Sequence, residues 1–392
     1  MTTSAAAGTK DVRAVLSELR KKQNFHVGAF SEFDHMASRG LTTGNITLDA
    51  LTGIGGFPSG RITELVGPPS SGKTTAALQC AAQVQQSGGV VMFLDYEQAL
   101  DPEYCRSLGL DVDADTFLYA QPEFFEQGAN GFRQIQADTG GVIDLVIHDS
   151  VAAMTTQHEL EAETGAVQVA DRAKMLYQYC RQLNPMLPRT GCAAVFLNHL
   201  LELVDTTPMG RRLAAQGIKR TTTPGGNALR YYASLRVEFK QIGNLKNEEM
   251  DVLSNEAVKQ VRQTRTQVTV IKNKVADPFR TAELRVRFGK GFSQNYSVLG
   301  ILTAHNKVKQ AGAWFTFPAE LRLNGDDDFV KLQGEDTVLT LMDEHPAWAH
   351  TLETAARDTI SDAEEAFEVI PEEQIEALEA EEASVEAAGK NA

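Results

Sequence analysis

The segment 67–74 constrains the fold of this chain more than any other stretch. It reads Gly-Pro-Pro-Ser-Ser-Gly-Lys-Thr and fits the phosphate-loop spacing G-x-x-x-x-G-K-[ST] at every fixed position. Residues 61–66 before it read as a short strand, and residues 75–86 after it read as a helix. A strand, a glycine-containing loop and a helix in this order favour a phosphate-binding loop over the alternative, an ordinary Gly/Ser turn.

Each residue of this loop has an expected part in nucleotide binding. Backbone N–H groups surround phosphate oxygens, Lys73 reaches the β- and γ-phosphates, and Thr74 binds Mg²⁺. The pattern therefore predicts ATP and Mg²⁺ as ligands. The expected contacts are Gly67, Pro68, Pro69, Ser70, Ser71, Gly72, Lys73, Thr74 and Thr75.

Alternating strand and helix patterns follow the loop. Residues 90–95, 142–149 and 193–198 are apolar runs typical of buried strands, and helical patterns such as 171–183 separate them. This order predicts an α/β fold with a mostly parallel central sheet and helices on both faces. Further along, the residues alternate between apolar and polar, which predicts antiparallel strands extending the sheet. These stretches are 235–239, 268–271 and 284–288.

Four regions are expected along the 392 residues. Residues 1–36 contain an amphipathic helix that either docks on a neighbouring subunit or packs on its own domain. Residues 37–296 form the core, 297–360 a small α/β module, and 361–392 an acidic, disordered tail. No apolar run approaches the roughly 18 residues of a membrane span and no signal peptide opens the chain, so a soluble, cytoplasmic protein is expected.

The net charge of −15 is concentrated at one end of the chain. Ten Glu and one Asp against one Lys give residues 361–392 a net charge of −10, which leaves −5 for the rest. Nucleic acid is therefore not excluded as a partner, because basic residues can still cluster locally.

Two carboxylates are placed for chemistry on a bound nucleotide. Asp149 ends an apolar run and is expected to hold Mg²⁺ together with Thr74, the alternative being a cap on the next helix. Glu97 lies two residues beyond another such run, at the sheet edge where ligands bind in open α/β folds. It can act as general base for a water that attacks the γ-phosphate, whereas the alternative is an ordinary surface glutamate.

Several segments in the correct order resemble the RecA family of DNA recombinases. The resemblance covers about residues 40–358 and is carried by 67–75, 95–102, 223–229, 270–275 and 311–314. It implies a RecA-type P-loop ATPase core that forms a helical filament on single-stranded DNA. It also implies strand exchange with homologous double-stranded DNA, and single-strand-binding and loader proteins as further partners.

The resemblance also assigns roles to individual residues. Glu97 would be the catalytic base, Asp101 and Tyr104 would contact adenine, and Lys272 with Lys274 would reach ATP bound to the adjacent subunit. Residues 159–169 and 200–226 are similar to the two DNA-binding loops of the family. The implied DNA contacts are Lys174, Arg181, Arg211, Arg212, Lys219, Arg220, Gly225, Gly226 and Asn227. The second loop is basic and interrupted by glycines in its own right, which suits phosphate binding, although a merely solvated loop would read the same.

The chain departs from the family pattern at several positions. Pro69 stands where bacterial members have Glu, and His199 stands where they have a Gln that senses the γ-phosphate and signals to the second loop. The second DNA-binding loop is longer than in bacterial members. At the tip of the first loop, residues 167–170 differ from the usual residues of those members. Some phage recombinases resemble this chain in carrying His at the position of His199. A phage-encoded or divergent member is therefore the expectation.

Two other functions fit the same core. A hexameric helicase shares the fold, but the paired Lys272 and Lys274 and the glycine-rich end of the second loop favour a recombinase. A DNA-coating mediator that binds ATP without turnover would not need Glu97.

Overall fold

The computed structural model describes residues 39–162, 169–202, 221–250, 257–323, 330–362, 367–376 and 378. The strands are β1 (Gly40–Leu41), β2 (Phe57–Pro58), β3 (Ile62–Gly67), β4 (Val90–Asp95), β5 (Phe117–Ala120), β6 (Ile143–Asp149), β7 (Ala193–His199), β8 (Leu201–Glu202), β9 (Thr221–Thr222), β10 (Leu235–Met250), β11 (Ala257–Asn273), β12 (Arg280–Arg287), β13 (Gly291–Phe292), β14 (Lys309–Ala311), β15 (Trp314–Thr316), β16 (Lys331–Gln333) and β17 (Glu368–Val369). The helices are α1 (Ile46–Leu51), α2 (Lys73–Gln86), α3 (Pro102–Ser107), α4 (Phe125–Thr139), α5 (Gln157–Glu161), α6 (Val169–Thr190), α7 (Ala228–Tyr232), α8 (Gln294–Ala304), α9 (Glu335–Glu344) and α10 (Pro346–Asp362), with a 3₁₀ turn at Ala319–Leu321.

One large sheet runs through the core in the order β13-β12-β11-β10-β3-β7-β6-β4-β5. All neighbours from β10 to β5 are parallel, whereas β10, β11, β12 and β13 pair antiparallel. The predicted α/β fold is confirmed, with the parallel strands in the middle and the antiparallel extension on one side. The carboxyl ends of the parallel strands meet at one edge, the edge that carries the phosphate loop.

Helices cover both faces of the parallel strands. Val91 and Phe93 of β4 pack into the cluster that contains α2, while Met92 and Leu94 pack into the cluster that contains α4, α6 and α7. Because both faces of each strand are buried, the strands read as continuous apolar runs in the sequence.

The antiparallel hairpin of β10 and β11 is far longer than predicted. The sequence pattern indicated five and four residues, but the strands have 16 and 17. Their pairing continues through polar partners such as Lys240 opposite Gln267 and Asn244 opposite Thr264. Alternation of apolar and polar residues marks a strand only where one of its faces is buried. Backbone pairing does not need buried side chains, so the two strands continue beyond the predicted stretches.

The C-terminal module has its own core. Strands β14, β15 and β16 form a small antiparallel sheet, and α8, α9 and α10 pack beside it. Phe317 and Trp348 lie at its centre with ring centroids 5.4 Å apart, and Trp348 Nε1 donates to the Leu321 carbonyl at 2.8 Å. Helices α8 and α10 extend the module a few residues beyond the predicted 297–360 at both ends.

The expected solvated tail is wrong for residues 367–370. Strand β17 pairs antiparallel with β12, and Ile370 is buried. Two apolar side chains, Phe367 and Ile370, anchor this segment, and acidic composition alone does not reveal them. The predicted N-terminal segment 1–36 lies outside the described residues. Within the described ranges, no helix combines the length and apolar character needed to cross a membrane.

Candidate functional site

The phosphate loop joins β3 to α2 in a conformation that suits an anion. Gly72 has a φ of +101°, and at Gly67 a Cβ would lie 2.2 Å from the Phe239 carbonyl oxygen. Neither position accepts a larger side chain without strain. The predicted spacing therefore reflects a backbone requirement, and the N-terminus of the 14-residue α2 directly follows the loop.

Lys73 is buried beneath the loop. Its Nζ donates to the carbonyl oxygens of Gly67 at 2.9 Å and Pro68 at 2.7 Å. Burial lowers the pKa of Lys73 to about 8, while the charges of Asp149 and Glu97 act in the opposite direction. A phosphate in the loop would supply the negative charge that this ammonium group lacks at close range.

Thr74 and Asp149 meet as predicted, with Thr74 Oγ1 3.2 Å from Asp149 Oδ2. Burial, followed by the charge of Glu97, raises the pKa of Asp149 to about 7. A hydroxyl and a carboxylate in this position fit Mg²⁺, which is usually held by one or two carboxylates and the substrate phosphates. Among the described residues, no group of three or more His, Cys, Asp or Glu is placed to hold a metal ion by itself.

Asp95 organises the loop that carries Glu97. Its carboxylate accepts hydrogen bonds from the backbone N–H groups of Gln98 at 2.8 Å, Ala99 at 3.1 Å and Leu100 at 3.1 Å. The loop therefore turns tightly at the end of β4, with Gln98 at a φ of +54°. Sequence reasoning identified Glu97 but missed this supporting role, although an aspartate at a strand end is a signal for it.

The Glu97 carboxylate has two side-chain partners. Ser150 Oγ donates to Glu97 Oε1, and His199 Nε2 lies 3.3 Å from the same oxygen. An ionised carboxylate only accepts, so the His199 contact is a hydrogen bond when Nε2 carries the proton. Ser150 was not predicted; its position directly after Asp149 at the end of β6 is the only sequence signal.

Two cavities of about 250 Å³ each adjoin this edge of the sheet, with Tyr104 lining both. The Tyr104 hydroxyl lies 2.7 Å from Thr75 Oγ1. Asp101, the other expected adenine contact, caps α3 by accepting from Glu103 N at 2.9 Å. One cavity is lined by Thr74, Leu78, Asp95, Glu97, Ala99, Leu100, Asp101, Tyr104 and Asp149. The other is lined by 70–75, Tyr104, Thr264, Val286, Phe288 and Gly289, of which the β11 and β12 residues were not predicted.

The lysine pair lies away from this edge. Lys272 Nζ donates to the Arg230 carbonyl, and Lys274 Nζ donates to the Tyr231 carbonyl at 3.2 Å. Both ammonium groups thus lie on one side, against α7, as the i, i+2 spacing predicts. The structure does not bring them to the phosphate loop of their own chain.

The expected DNA contacts fall into two groups. Lys174 and Arg181 are exposed on α6, and Gly225, Gly226 and Asn227 form the turn before α7. A Cβ at Gly225 would meet Leu176 at 2.6 Å, and one at Gly226 would meet Ala173 at 3.0 Å, so this turn lies directly on α6. The remaining predicted contacts, Arg211, Arg212, Lys219 and Arg220, lie outside the described residues.

A buried polar network connects the nucleotide edge to the end of the second loop. Asn198, next to His199 in β7, donates to Glu64 Oε1 at 2.8 Å and to the Pro224 carbonyl at 3.1 Å. Glu64 in turn accepts from Arg236 Nε at 2.6 Å. Strand pairing of β8 with β9 closes the base of the same loop.

Comparisons with known proteins show which family this chain resembles. The family model of the RecA N-terminal domain matches residues 11–293. The protein named Protein RecA from Staphylococcus carnosus is 35% identical over 374 residues, or 94% of this chain and 95% of that protein. Its namesake from Corynebacterium glutamicum is 38% identical over 313 residues, or 80% of this chain and 75% of that protein. The crystal structure of the RadB recombinase aligns with a TM-score of 0.45 and 19% identity, over 64% of this chain and 98% of its own. None of these matches tests the predicted phage or divergent origin.

Proposed function

Because this chain belongs to the RecA family, we propose that it is an ATP-dependent DNA recombinase. It forms a helical filament on single-stranded DNA and pairs that strand with homologous double-stranded DNA. Single-strand-binding and loader proteins are its expected helpers, and the cytoplasm is the compartment in which such a protein meets DNA.

One observation carries this proposal. A glutamate held by two side chains, Glu97, lines the same cavity as the Thr74 and Asp149 oxygen pair. A protein that only binds nucleotide needs the phosphate loop, but it has no use for an oriented carboxylate beyond it.

The residues divide the reaction among themselves. The backbone of the loop and Lys73 bind the phosphates, and Thr74 with Asp149 hold Mg²⁺, which neutralises charge on the phosphate oxygens when bound. Glu97 orients the attacking water and accepts its proton, while the Ser150 and His199 contacts fix the direction of its carboxylate. Asp101 and Tyr104 are the proposed adenine contacts.

Coupling to DNA follows from the position of His199. Its ring contacts the Glu97 carboxylate, and its neighbour Asn198 holds the Pro224 carbonyl at the end of the second loop. A γ-phosphate that attracts His199 therefore changes the strand end to which the DNA loop is attached. The proposed DNA contacts are Lys174, Arg181, Arg211, Arg212, Lys219, Arg220, Gly225, Gly226 and Asn227.

Glu97→Gln tests the chemical half of the proposal. The amide cannot accept a proton, so turnover of ATP should fall by about 10²- to 10⁴-fold, whereas binding of ATP and DNA should persist. Phosphate release is measured with and without single-stranded DNA, and Glu123→Gln, an exposed glutamate outside the cavity, is the matched control. Near-normal hydrolysis by Glu97→Gln would remove the base role.

The two other functions give different results in the same assay. A mediator without turnover would show no DNA-stimulated phosphate release in the wild-type protein. A hexameric helicase would hydrolyse ATP but form closed rings, so electron microscopy of negatively stained samples with ATP and single-stranded DNA separates it from an open filament.

A further inference from the structure

A stripe of one aromatic and two basic side chains runs along α6. Lys174, Tyr177 and Arg181 have the spacing i, i+3, i+7, which places them on one face of a helix. Lys174 and Arg181 are exposed, and Tyr177 keeps 39% of its surface accessible. The two cations lie about 10 Å apart along the helix axis, with the phenol between them.

The Tyr177 ring is held in a fixed orientation by α7. Its centroid lies 5.3 Å from that of Tyr232 at 76° and 6.5 Å from that of Tyr231 at 79°, both edge-to-face contacts. An exposed tyrosine held on two sides loses little conformational entropy when something stacks on its free face.

The end of the second loop lies on the same helix as this ring. The turn that contains Gly225 and Gly226 contacts α6 at Ala173 and Leu176, directly before Tyr177 in the chain. Gly226 is exposed, and its neighbour Ala173 lies one helical turn before Tyr177 on the same face of α6. The fold thus brings two cations, an aromatic face and an exposed glycine turn together from two separate segments.

We propose that Tyr177 stacks on a base of single-stranded DNA while Lys174 and Arg181 neutralise the flanking phosphates. The proposal deepens the proposed function by naming a base contact in the DNA site. Proteins that bind single strands without sequence preference combine a basic groove with aromatic side chains, because every base has a π face. The duplex form offers no exposed base face, so the tyrosine selects single strands.

Two fluorescently labelled oligonucleotides of equal length test the stacking. One is oligo(dT), and the other has the same backbone with abasic sites throughout, so that only the first has bases. Affinities are measured by anisotropy with ATP present. Tyr177→Ala should weaken oligo(dT) binding about tenfold and leave the abasic strand unchanged, and Tyr177→Phe should keep wild-type affinity for both. Lys174→Ala should weaken both strands equally and reduce the salt dependence by about one counterion.

Tyr177→Leu guards against a folding defect, because leucine keeps apolar contact with α7 but has no π face. It should lose oligo(dT) affinity as Tyr177→Ala does, with an unchanged melting temperature. Equal losses on both strands, or wild-type affinity of the Ala and Leu variants, would overturn the stacking while the recombinase proposal stands. A wild-type protein that binds neither strand would overturn both.

Discussion

Lys73 and the pair Lys272/Lys274 occupy opposite ends of the same sheet. Lys73 follows the carboxyl end of β3 and donates to the carbonyls of its own phosphate loop. Lys272 is opposite Arg236, which is opposite Glu64, three residues before Gly67 along β3. At about 3.3 Å per residue, the backbone of Lys272 lies about 10 Å back from the loop along the strand direction.

This difference teaches which parts of the site one chain can complete by itself. Glu97, Ser150, Asp149 and Thr74 contact one another in pairs or line one cavity, all at the carboxyl edge. The lysine pair is directed at the carbonyls of α7 instead. If these ammonium groups serve a phosphate, that phosphate belongs to another molecule, and this favours the proposed filament.

The largest expected effect is on ATP turnover. Mixing two inactive variants tests directly whether the lysine pair acts on the site of a neighbouring chain. Lys272→Ala/Lys274→Ala should lower ATP turnover by about 10³-fold, in the manner of a residue supplied in trans. Mixed with Glu97→Gln, the double variant should recover part of the turnover, because some interfaces join an intact Glu97 to an intact lysine pair. Phosphate release is followed as the mixing ratio is varied.

Lys307→Ala/Lys309→Ala is the control for that mixture, since it removes an exposed i, i+2 lysine pair from the C-terminal module. It should keep full turnover. A mixture that stays as inactive as either variant, although mixed filaments are visible, would show that the pair does not act across an interface.

The sequence predicted the carboxyl edge far better than it predicted the surroundings of the lysine pair. The phosphate loop, Asp149 and Glu97 lie within or directly after short apolar strands, so linear patterns locate them. The partners of Lys272 and Lys274 are backbone carbonyls 42 and 43 residues away, and carbonyls have no residue signature. The Tyr177 contacts were missed for a similar reason, because they join α6 and α7 across the second loop.

Ser150→Ala should have a smaller effect on ATP turnover, and it tests whether Ser150 belongs to the same edge as Glu97. Loss of a hydrogen bond to a charged carboxylate should lower turnover by about tenfold or somewhat more, and Ser150→Thr should restore much of it because it keeps a hydroxyl. Since Ser150 and Glu97 act in the same chain, Ser150→Ala mixed with Glu97→Gln should gain nothing. Mixed with the lysine double variant, Ser150→Ala should gain ATP turnover, because some interfaces then join an intact Ser150 to an intact lysine pair. Recovery in the first mixture would contradict the assignment of Ser150 to the same edge as Glu97.

The last prediction concerns stability and the segment 367–370, which packs against the turn that follows the lysine pair. Ile370 N donates to the Phe279 carbonyl at 3.0 Å, and Phe279 ends the turn that begins near Lys274. Truncation after Ile360 removes this contact with Phe367 and Ile370, and should lower the free energy of unfolding by about 2 kcal/mol. Truncation after Leu378 keeps β17 and should leave stability unchanged in chemical denaturation.

The same two truncations separate the stabilising effect of β17 from the electrostatic effect of the acidic residues. Residues 361–392 carry −10, whereas residues 379–392 carry four Glu and one Lys, a net of −3. If the acidic segment competes with DNA phosphates for basic residues, affinity at low salt should rise severalfold after the longer truncation and less after the shorter one. Equal stability of both truncated proteins would show that β17 does not brace the sheet. Equal DNA affinity of the full chain and both truncated proteins at low salt would show that the acidic charge does not reach the DNA site.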